Sequence, residues 1–224
     1  MNLRTALATI HRDPLWWRKI LIGGALMLTV IGYPWAAGLE MQSLENTRKG
    51  FPTPLPPWRE WSLRYLIGLF AILIDILFFG LPIFAFGLLF LCIGALLLSS
   101  NSTALAWFTQ VSLAVVLLYQ LAVFIAGVSP IGRLIYADTG RIEEALGIRP
   151  VRKVLEPRVR WIYLRARFQS LPAYLPALLL GVAGRFIGWP FNLLMLWLAC
   201  SALFYAHLVV VQFYAAAESD VKFG

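Results

Sequence analysis

The sequence predicts an all-α fold. We expect a polytopic integral membrane bundle of about five to six hydrophobic segments, each near the roughly 20 residues that cross a bilayer as a helix, with short interfacial amphipathic helices. Hydrophobic residues make up 60% of the 224 residues and charged residues 13%, whereas soluble domains have about 45–50% and about 25%. Nine of the 19 basic residues fall in one polar segment, 129–170, between long apolar runs. These observations predict a single membrane-embedded domain over residues 1–224.

The first apolar segment, 19–39, is expected to follow an anchor at the membrane surface. Asp13 and Pro14 are typical of a helix start, because Asp caps exposed N–H groups and Pro fits the first helical position. Paired tryptophans and paired cations follow at 16–19, a combination typical of the headgroup layer. Pro34 is expected to bend the crossing.

The second apolar run, 65–100, carries a single charged residue, Asp75, in its 36 residues. A straight helix of that length would measure about 54 Å, well above the roughly 30 Å of the hydrocarbon core. Gly80-Leu81-Pro82 is the expected break, because glycine and proline divide or kink helices. The resulting segments are 65–81 and 82–100.

Charge parity favours this division. The N-terminus and the 129–170 segment are both basic, so both are expected in the cytoplasm, and an even number of crossings must separate them. Dividing the long run gives four crossings, the last of them at 103–128. The alternative keeps the run whole and lets segment 19–39 dip into the membrane and return.

Segment 129–170 is predicted to be a basic cytoplasmic loop that folds into short amphipathic helices. Thr139 can cap a turn that Gly147 ends, and Pro150 and Pro157 can each open a further helix. Basic amphipathic helices lie along anionic membrane surfaces, so we expect contact with lipid headgroups; a regulatory or partner-docking loop is the alternative. The expected headgroup or partner contacts are Arg149, Arg152, Lys153, Arg158, Arg160, Arg165 and Arg167. Two further apolar segments follow, at 173–189 and 191–217.

A few polar side chains lie within the predicted crossings. Asp75 is the only acid deep in one of them, where an ionisable group costs at least about 2.5–3.5 kcal/mol. It must be paired, protonated or facing water, so a structural hydrogen bond and a proton- or ion-linked role are the alternatives. The intramembrane polar candidates are Asp75, Gln110, Gln120, His207 and Gln212, and the possible partners of Asp75 are the last four and Arg185.

The sequence predicts no metal site, cofactor or catalytic residue. His207 has no second histidine or carboxylate three or four residues away, as a metal site on one helix would need. No metalloprotease, nucleophile-elbow, Walker or Rossmann pattern occurs. The net charge of +8 is concentrated in loops, as expected for contact with anionic lipids, so no nucleic-acid partner is predicted.

Several spaced motifs form a pattern between residues 5 and 82. They are Asp13-Pro-x-Trp, Lys19-Ile-Leu-Ile-Gly-Gly24, Gly38-x-Glu-Met, Lys49-Gly50, Leu55-Pro-x-Trp58 and Gly68, with a looser continuation at 137–145 and in the aromatic-basic run to Phe168. The pattern resembles a prokaryotic membrane-protein family known as domain of unknown function 4013 (DUF4013). One departure is that Gly32-Tyr33 falls inside the first segment. The resemblance implies a polytopic prokaryotic membrane protein and brings no catalytic residues with it.

Three functions remain as hypotheses. The favoured one is a non-catalytic integral membrane protein, a scaffold or accessory subunit of a larger respiratory, photosynthetic or transport complex, with the lipid bilayer and other membrane subunits as partners. The second is a small transporter or channel that uses Asp75, and the third, less favoured, is an intramembrane enzyme. The expected location is the inner (cytoplasmic) membrane, with several crossings and with the N-terminus and the 129–170 loop in the cytoplasm.

Overall fold

The computed structural model describes residues 1–98 and 103–223, and the regular structure in these ranges is helical, without a strand. The all-α prediction is therefore confirmed for these residues. The side chains at 79, 82, 86, 90, 96–98, 104–106, 119–126 and 222–223 are outside this description. The α-helices are α1 (Leu3–His11), α2 (Trp16–Met27), α3 (Tyr33–Arg48), α4 (Trp61–Asp75), α5 (Leu81–Leu98), α6 (Thr103–Thr139), α7 (Ile142–Leu146), α8 (Ile148–Leu155), α9 (Pro157–Ser170), α10 (Leu175–Gly184) and α11 (Phe191–Phe223).

Two helical stretches are long and apolar enough to cross a membrane, Trp61–Ala95 and Phe191–Val221. A shorter apolar helix covers Trp107–Leu118. Within the ranges that the structure describes, five to six crossings are therefore not confirmed.

The chain forms two compact units, which we describe separately. Unit 1 comprises Met1–Ile72 and Trp161–Gly224, and unit 2 comprises Leu73–Arg160. In unit 1, helices α1, α2, α3 and α10 pack against α11. Phe204, Leu208 and Phe213 of α11 are buried, and burying side chains of this size contributes about 1.5–3 kcal/mol each relative to exposure.

Two glycines bring α3 and α4 into backbone contact in unit 1. A β-carbon at Gly38 would overlap the carbonyl oxygen of Arg64, and one at Gly68 would overlap the carbonyl oxygen of Pro34. Any larger residue would hold the two backbones apart, so the close approach requires glycine at both positions. Both glycines belong to the motif pattern found in the sequence.

The predicted crossing at 19–39 is not one helix. Helix α2 ends at Met27, and the turn that follows is closed by the Gly32 N–H, which donates to Thr29 Oγ1 at 2.9 Å. Pro34 is the second residue of α3, where its missing N–H breaks no helical hydrogen bond. Proline therefore helps to start a helix here instead of bending one. The 12 residues of α2 rise about 18 Å, less than the thickness of the hydrocarbon core.

The predicted segment 173–189 also does not form one helix. A 3₁₀ turn at Leu171–Tyr174 leads into α10, whose 10 residues rise about 15 Å. The chain then turns before α11, which continues past the predicted end at 217 to Phe223.

In unit 2, the helix changes type near Pro82, where a break was expected. The backbone of 73–98 is helical throughout, but Ile76–Gly80 form a π-helical turn, in which the Leu81 N–H donates to the Ile76 carbonyl. Within the described residues, the helix is therefore continuous between 81 and 82, where the favoured division was expected. Pro82 cannot donate a backbone hydrogen bond, and the wider π turn directly before it interrupts the regular pattern without ending the helix.

Helix α6 is longer than the predicted crossing at 103–128. It passes through Pro130 and ends at Thr139, so the first eleven residues of the predicted 129–170 loop are helical. The remainder of that segment forms short helices as expected, with Gly147 after the last residue of α7 and Pro157 as the first residue of α9.

Candidate functional site

Polar side chains of α3 meet polar side chains of α11 inside unit 1. The positions i, i+3 and i+7 on α3 lie on one helical face. The contacts pair residue 40 with 207, residue 47 with 212 and residue 48 with 218. The residue numbers increase together, so the two helices run in the same direction where they touch. We call this row the α3–α11 seam; it consists of Glu40, Ser43, Thr47 and Arg48 from α3 and His207, Gln212 and Glu218 from α11.

Glu40 and His207 form the first contact of the seam. Glu40 is 2% exposed, and its Oε1 lies 3.0 Å from His207 Nδ1, so the imidazole donates its Nδ1 hydrogen to the carboxylate. The Tyr174 ring meets the imidazole edge-on at 5.8 Å. These contacts fix the orientation of the histidine.

Tyr174 connects the histidine to a basic residue predicted to contact headgroups. Arg167 donates from its guanidinium to the Tyr174 hydroxyl at 3.0 Å and lies 5.2 Å from the centre of its ring. Burial lowers the pKa of Arg167, but the phenol groups of Tyr214 and Tyr174 oppose this and leave the pKa above its ordinary value. Arg167 is therefore a fixed charge within unit 1, and its contact with a headgroup or partner stays a prediction.

Gln212 lies at the centre of the seam and is fully buried. Thr47 Oγ1 is 2.9 Å from the Gln212 amide and also donates to the Ser43 carbonyl at 2.8 Å. Because a hydroxyl has one hydrogen, Thr47 shares it between the amide oxygen of Gln212 and the Ser43 carbonyl, which both accept. The amide nitrogen of Gln212 and the Ser43 hydroxyl have no partner in the part of the chain that the structure describes. Each such group costs about 1–3 kcal/mol.

The seam ends in an ion pair. Arg48 Nε lies 2.5 Å from Glu218 Oε2, and a terminal nitrogen of the same guanidinium donates to Glu218 Oε1 at 3.0 Å. This two-pronged geometry is the strong form of an arginine–carboxylate pair. It joins the end of α3 to the last turns of α11.

In unit 2, Asp75 is paired with α6. Ser129 Oγ donates to Asp75 Oδ1 at 2.5 Å, Arg133 Nε donates to the same oxygen at 3.1 Å, and a second guanidinium nitrogen of Arg133 pairs with Oδ2. The carboxylate is therefore neutralised by a cation. Its partners differ from those expected from the sequence, because Arg133 lies in the segment predicted to be a loop.

The two glutamines predicted for the middle crossings have different outcomes. Gln110 is 7% exposed and donates its amide to the Gly94 carbonyl at 2.9 Å, which ties α6 to α5. The side chain of Gln120 lies outside the described residues.

The basic side chains of α8 and α9 are mostly exposed. Arg149 pairs with Glu144 of α7, while Arg152, Lys153, Arg158 and Arg165 are exposed and Arg160 is half-buried. On α8 the apolar residues Ile148 and Leu155 are exposed as well, at 80% and 66%. Exposed cations beside exposed apolar side chains are typical of a helix that lies at a membrane surface.

Glu40 and Arg64 are two buried polar residues that were not among the predicted site residues. Arg64 is 2% exposed; its guanidinium donates to Gln42 Oε1 at 2.7 and 3.0 Å and to the Pro57 carbonyl at 2.7 Å, and it lies 5.1 Å from the centre of the Trp58 ring. Glu40 had two usable signals, its place in the Gly38-x-Glu-Met motif and its helical spacing with Ser43 and Thr47. Both residues are ends of the polar stretch 40–64 between the first two apolar segments, so hydropathy assigned them to water.

The fold and the paired polar groups define an all-helical protein with long apolar helices. The described residues hold no group of three or more metal-ligating side chains. The chain belongs to the DUF4013 family, since the model of the family described as "Protein of unknown function (DUF4013)" matches residues 21–189. The resemblance expected from the motifs is thereby confirmed. No curated protein and no solved structure matches the chain.

Proposed function

We propose that the protein is a non-catalytic integral membrane protein of the inner membrane that acts as a scaffold or accessory subunit of a larger membrane complex. The observation that carries this proposal is the exposed apolar surface of unit 2. On α5, Phe84 and Leu91 are 70% and 69% exposed, and on α6, Trp107 and Phe108 are 59% and 73% exposed.

Such a surface is rare on soluble monomers, where contiguous apolar patches seldom exceed a few hundred Å². In an 18-residue apolar window of Trp61–Ala95 only 7% of the residues are buried within the chain, and in such a window of Phe191–Val221 39% are buried. The core helix of a soluble protein would be mostly buried. Lipid chains or the apolar faces of partner subunits therefore suit these helices better than water.

The polar groups of both units support a structural role. Asp75 is bound to Arg133 and Ser129, and Glu40 is bound to His207. Groups that already neutralise each other hold helices together, as interhelical polar contacts in membrane proteins do.

Membrane embedding is tested by extracting membranes of expressing cells with sodium carbonate at high pH. We expect the full chain to stay in the pellet, and release into the supernatant would contradict the proposal. Accessory function is tested by purification in mild detergent and mass spectrometry of what co-purifies. Stoichiometric membrane subunits are expected, whereas an isolated monomer from native-level expression would count against the role.

Topology is tested with a tag inserted after Gly140. This residue lies between α6 and α7, has a positive φ of 65°, and has open space around its α-carbon, so an insertion there disturbs little packing. We propose that this loop and the N-terminus face the cytoplasm. A tag that proteases reach only from the periplasmic side would contradict that orientation.

A small transporter or channel is the second candidate. Asp75 directly precedes the π-helical turn Ile76–Gly80, and such turns occur often at functional sites. Flux through proteoliposomes that Asp75→Asn abolishes, with assembly intact, would favour this candidate over the scaffold.

A further inference from the structure

Unit 1 contains a small open cleft between α9 and the last turns of α11. Its volume is about 190 Å³, the space of roughly six water molecules at about 30 Å³ each. It is larger than a metal site and smaller than the roughly 300–1,000 Å³ of pockets for drug-sized ligands. Its size therefore suits a compact polar headgroup.

The cleft lies at the end of a helix that is longer than a bilayer needs. About 20 residues cover the roughly 30 Å of the hydrocarbon core, so the apolar stretch from Phe191 to about Val211 is sufficient for a crossing. When α11 crosses the membrane, residues 213–221 extend into the headgroup layer. Trp161 and Phe168 of α9 are 59% and 62% exposed beside them, and aromatic side chains favour that layer.

The cleft is lined by two opposite charges and by apolar side chains, which we call its floor. Arg165 of α9 and Asp220 of α11 both line it. Both are exposed, and neither forms an ion pair with a described residue. Phe213 and Ala217 form part of the floor and are 2% and 3% exposed, and Gln169 and Met1 also line the cleft.

One cation and one carboxylate in the same cleft favour some phospholipid headgroups over others. A guanidinium fork matches the geometry of a phosphate, and a carboxylate accepts hydrogen bonds from a primary ammonium. Phosphatidylethanolamine carries both groups, whereas phosphatidylglycerol lacks the ammonium. The quaternary ammonium of phosphatidylcholine has no hydrogen to donate and is usually bound by an aromatic cage.

We propose that the cleft binds the headgroup of phosphatidylethanolamine, with Arg165 on the phosphate, Asp220 on the ammonium and the glycerol ester region against the apolar floor. The proposal rests on the membrane embedding proposed above. Carbonate extraction tests embedding separately, so a chain that stays in the membrane but lacks the lipid preference overturns this proposal alone.

The experiment is native mass spectrometry of the full chain in mild detergent, titrated with dioleoyl phosphatidylethanolamine, phosphatidylglycerol or phosphatidylcholine. We expect the ethanolamine lipid to bind about two- to fivefold more tightly than either other lipid, as suits exposed charge pairs. Asp220→Asn should remove its preference over phosphatidylglycerol, and Arg165→Gln should weaken both lipids. Arg165→Lys should restore part of the binding, which separates loss of charge from loss of fold.

The matched control is Arg158→Gln, because Arg158 is an exposed arginine of the same helix outside the cleft. It should leave the ratio of ethanolamine to choline lipid unchanged. An effect equal to that of Arg165→Gln would mean general charge attraction and overturn the proposal, as would equal binding of the three lipids. Soluble phosphoethanolamine should not displace the lipid, and full displacement would overturn the assignment to a lipid.

Discussion

Substitution of Gly68 by alanine should separate α3 from α4. A β-carbon at this position would overlap the Pro34 carbonyl oxygen and lie 2.8 Å from the backbone nitrogen of Gly38. Both obstacles are backbone atoms, which cannot rotate away as a side chain can, so the helices themselves must move apart. Overpacking of this kind costs about 1–3 kcal/mol.

The matched control is Gly181→Ala. Gly181 is also helical, but no atom lies within 4 Å of the place its β-carbon would take, so alanine should stabilise α10 by about 0.5–1 kcal/mol. The difference between the two variants is then about 1.5–4 kcal/mol, the sum of the two effects. At about 2–4 °C per kcal/mol for a chain of this size, the midpoints should differ by about 3–16 °C. The assay is thermal unfolding in mild detergent, followed by circular dichroism, and a Gly68→Ala midpoint at or above that of Gly181→Ala would refute the reasoning.

Three further predictions concern the polar contacts and use the same assay. Asp75→Asn and Arg133→Gln should couple by about 0.5–3 kcal/mol in a double-mutant cycle; strictly additive effects would mean that the pair contributes nothing. Glu40→Ala should cost about 1.5–3 kcal/mol, because it removes the acceptor of His207, and Glu40→Gln should cost less since it keeps an oxygen there; equal losses would contradict the hydrogen bond. Arg64→Lys should lower stability by about 1–2 kcal/mol, because a lysine cannot reproduce the fork that holds two acceptors; an unchanged midpoint would show that charge alone suffices.

The helical class and the family could be predicted because they depend on local features. A chain this apolar must satisfy its backbone within each segment, which favours helices wherever lipid is the solvent. Gly38 and Gly68 were visible as motif residues, and the structure adds their reason, the contact between α3 and α4. Pro157 likewise marked the start of α9, since proline fits the first position of a helix.

The breaks between segments could not be predicted with the same success, because proline acts in more than one way. Pro34 was expected to bend a helix and instead stands at the start of one, and the choice depends on the turn that Thr29 and Gly32 form before it. At Pro82 the helix continues, because the π turn at Ile76–Gly80 widens the backbone first.

The polar pairs depend on tertiary contacts that no local pattern contains. Asp75 and Arg133 are 58 positions apart, and the arginine stood in a segment assigned to water. Glu40 and His207 are 167 positions apart, and their helices come together only through the apolar packing around α11. Most side chains of the polar pairs could therefore be predicted from the sequence, but their partners could not.

The π-helical turn has a consequence for comparing members of the family. It holds about one residue more than an ordinary turn, so a relative with one residue fewer between Asp75 and Leu81 could replace it with regular α-helix and keep the faces on either side in the same orientation. Alignments should therefore allow a single-residue gap at this place. A deletion of one residue there would leave the carboxylate of Asp75 and the apolar face of α5 where they are, whereas the same deletion in the middle of α5 would turn the following residues by about 100° around the helix axis.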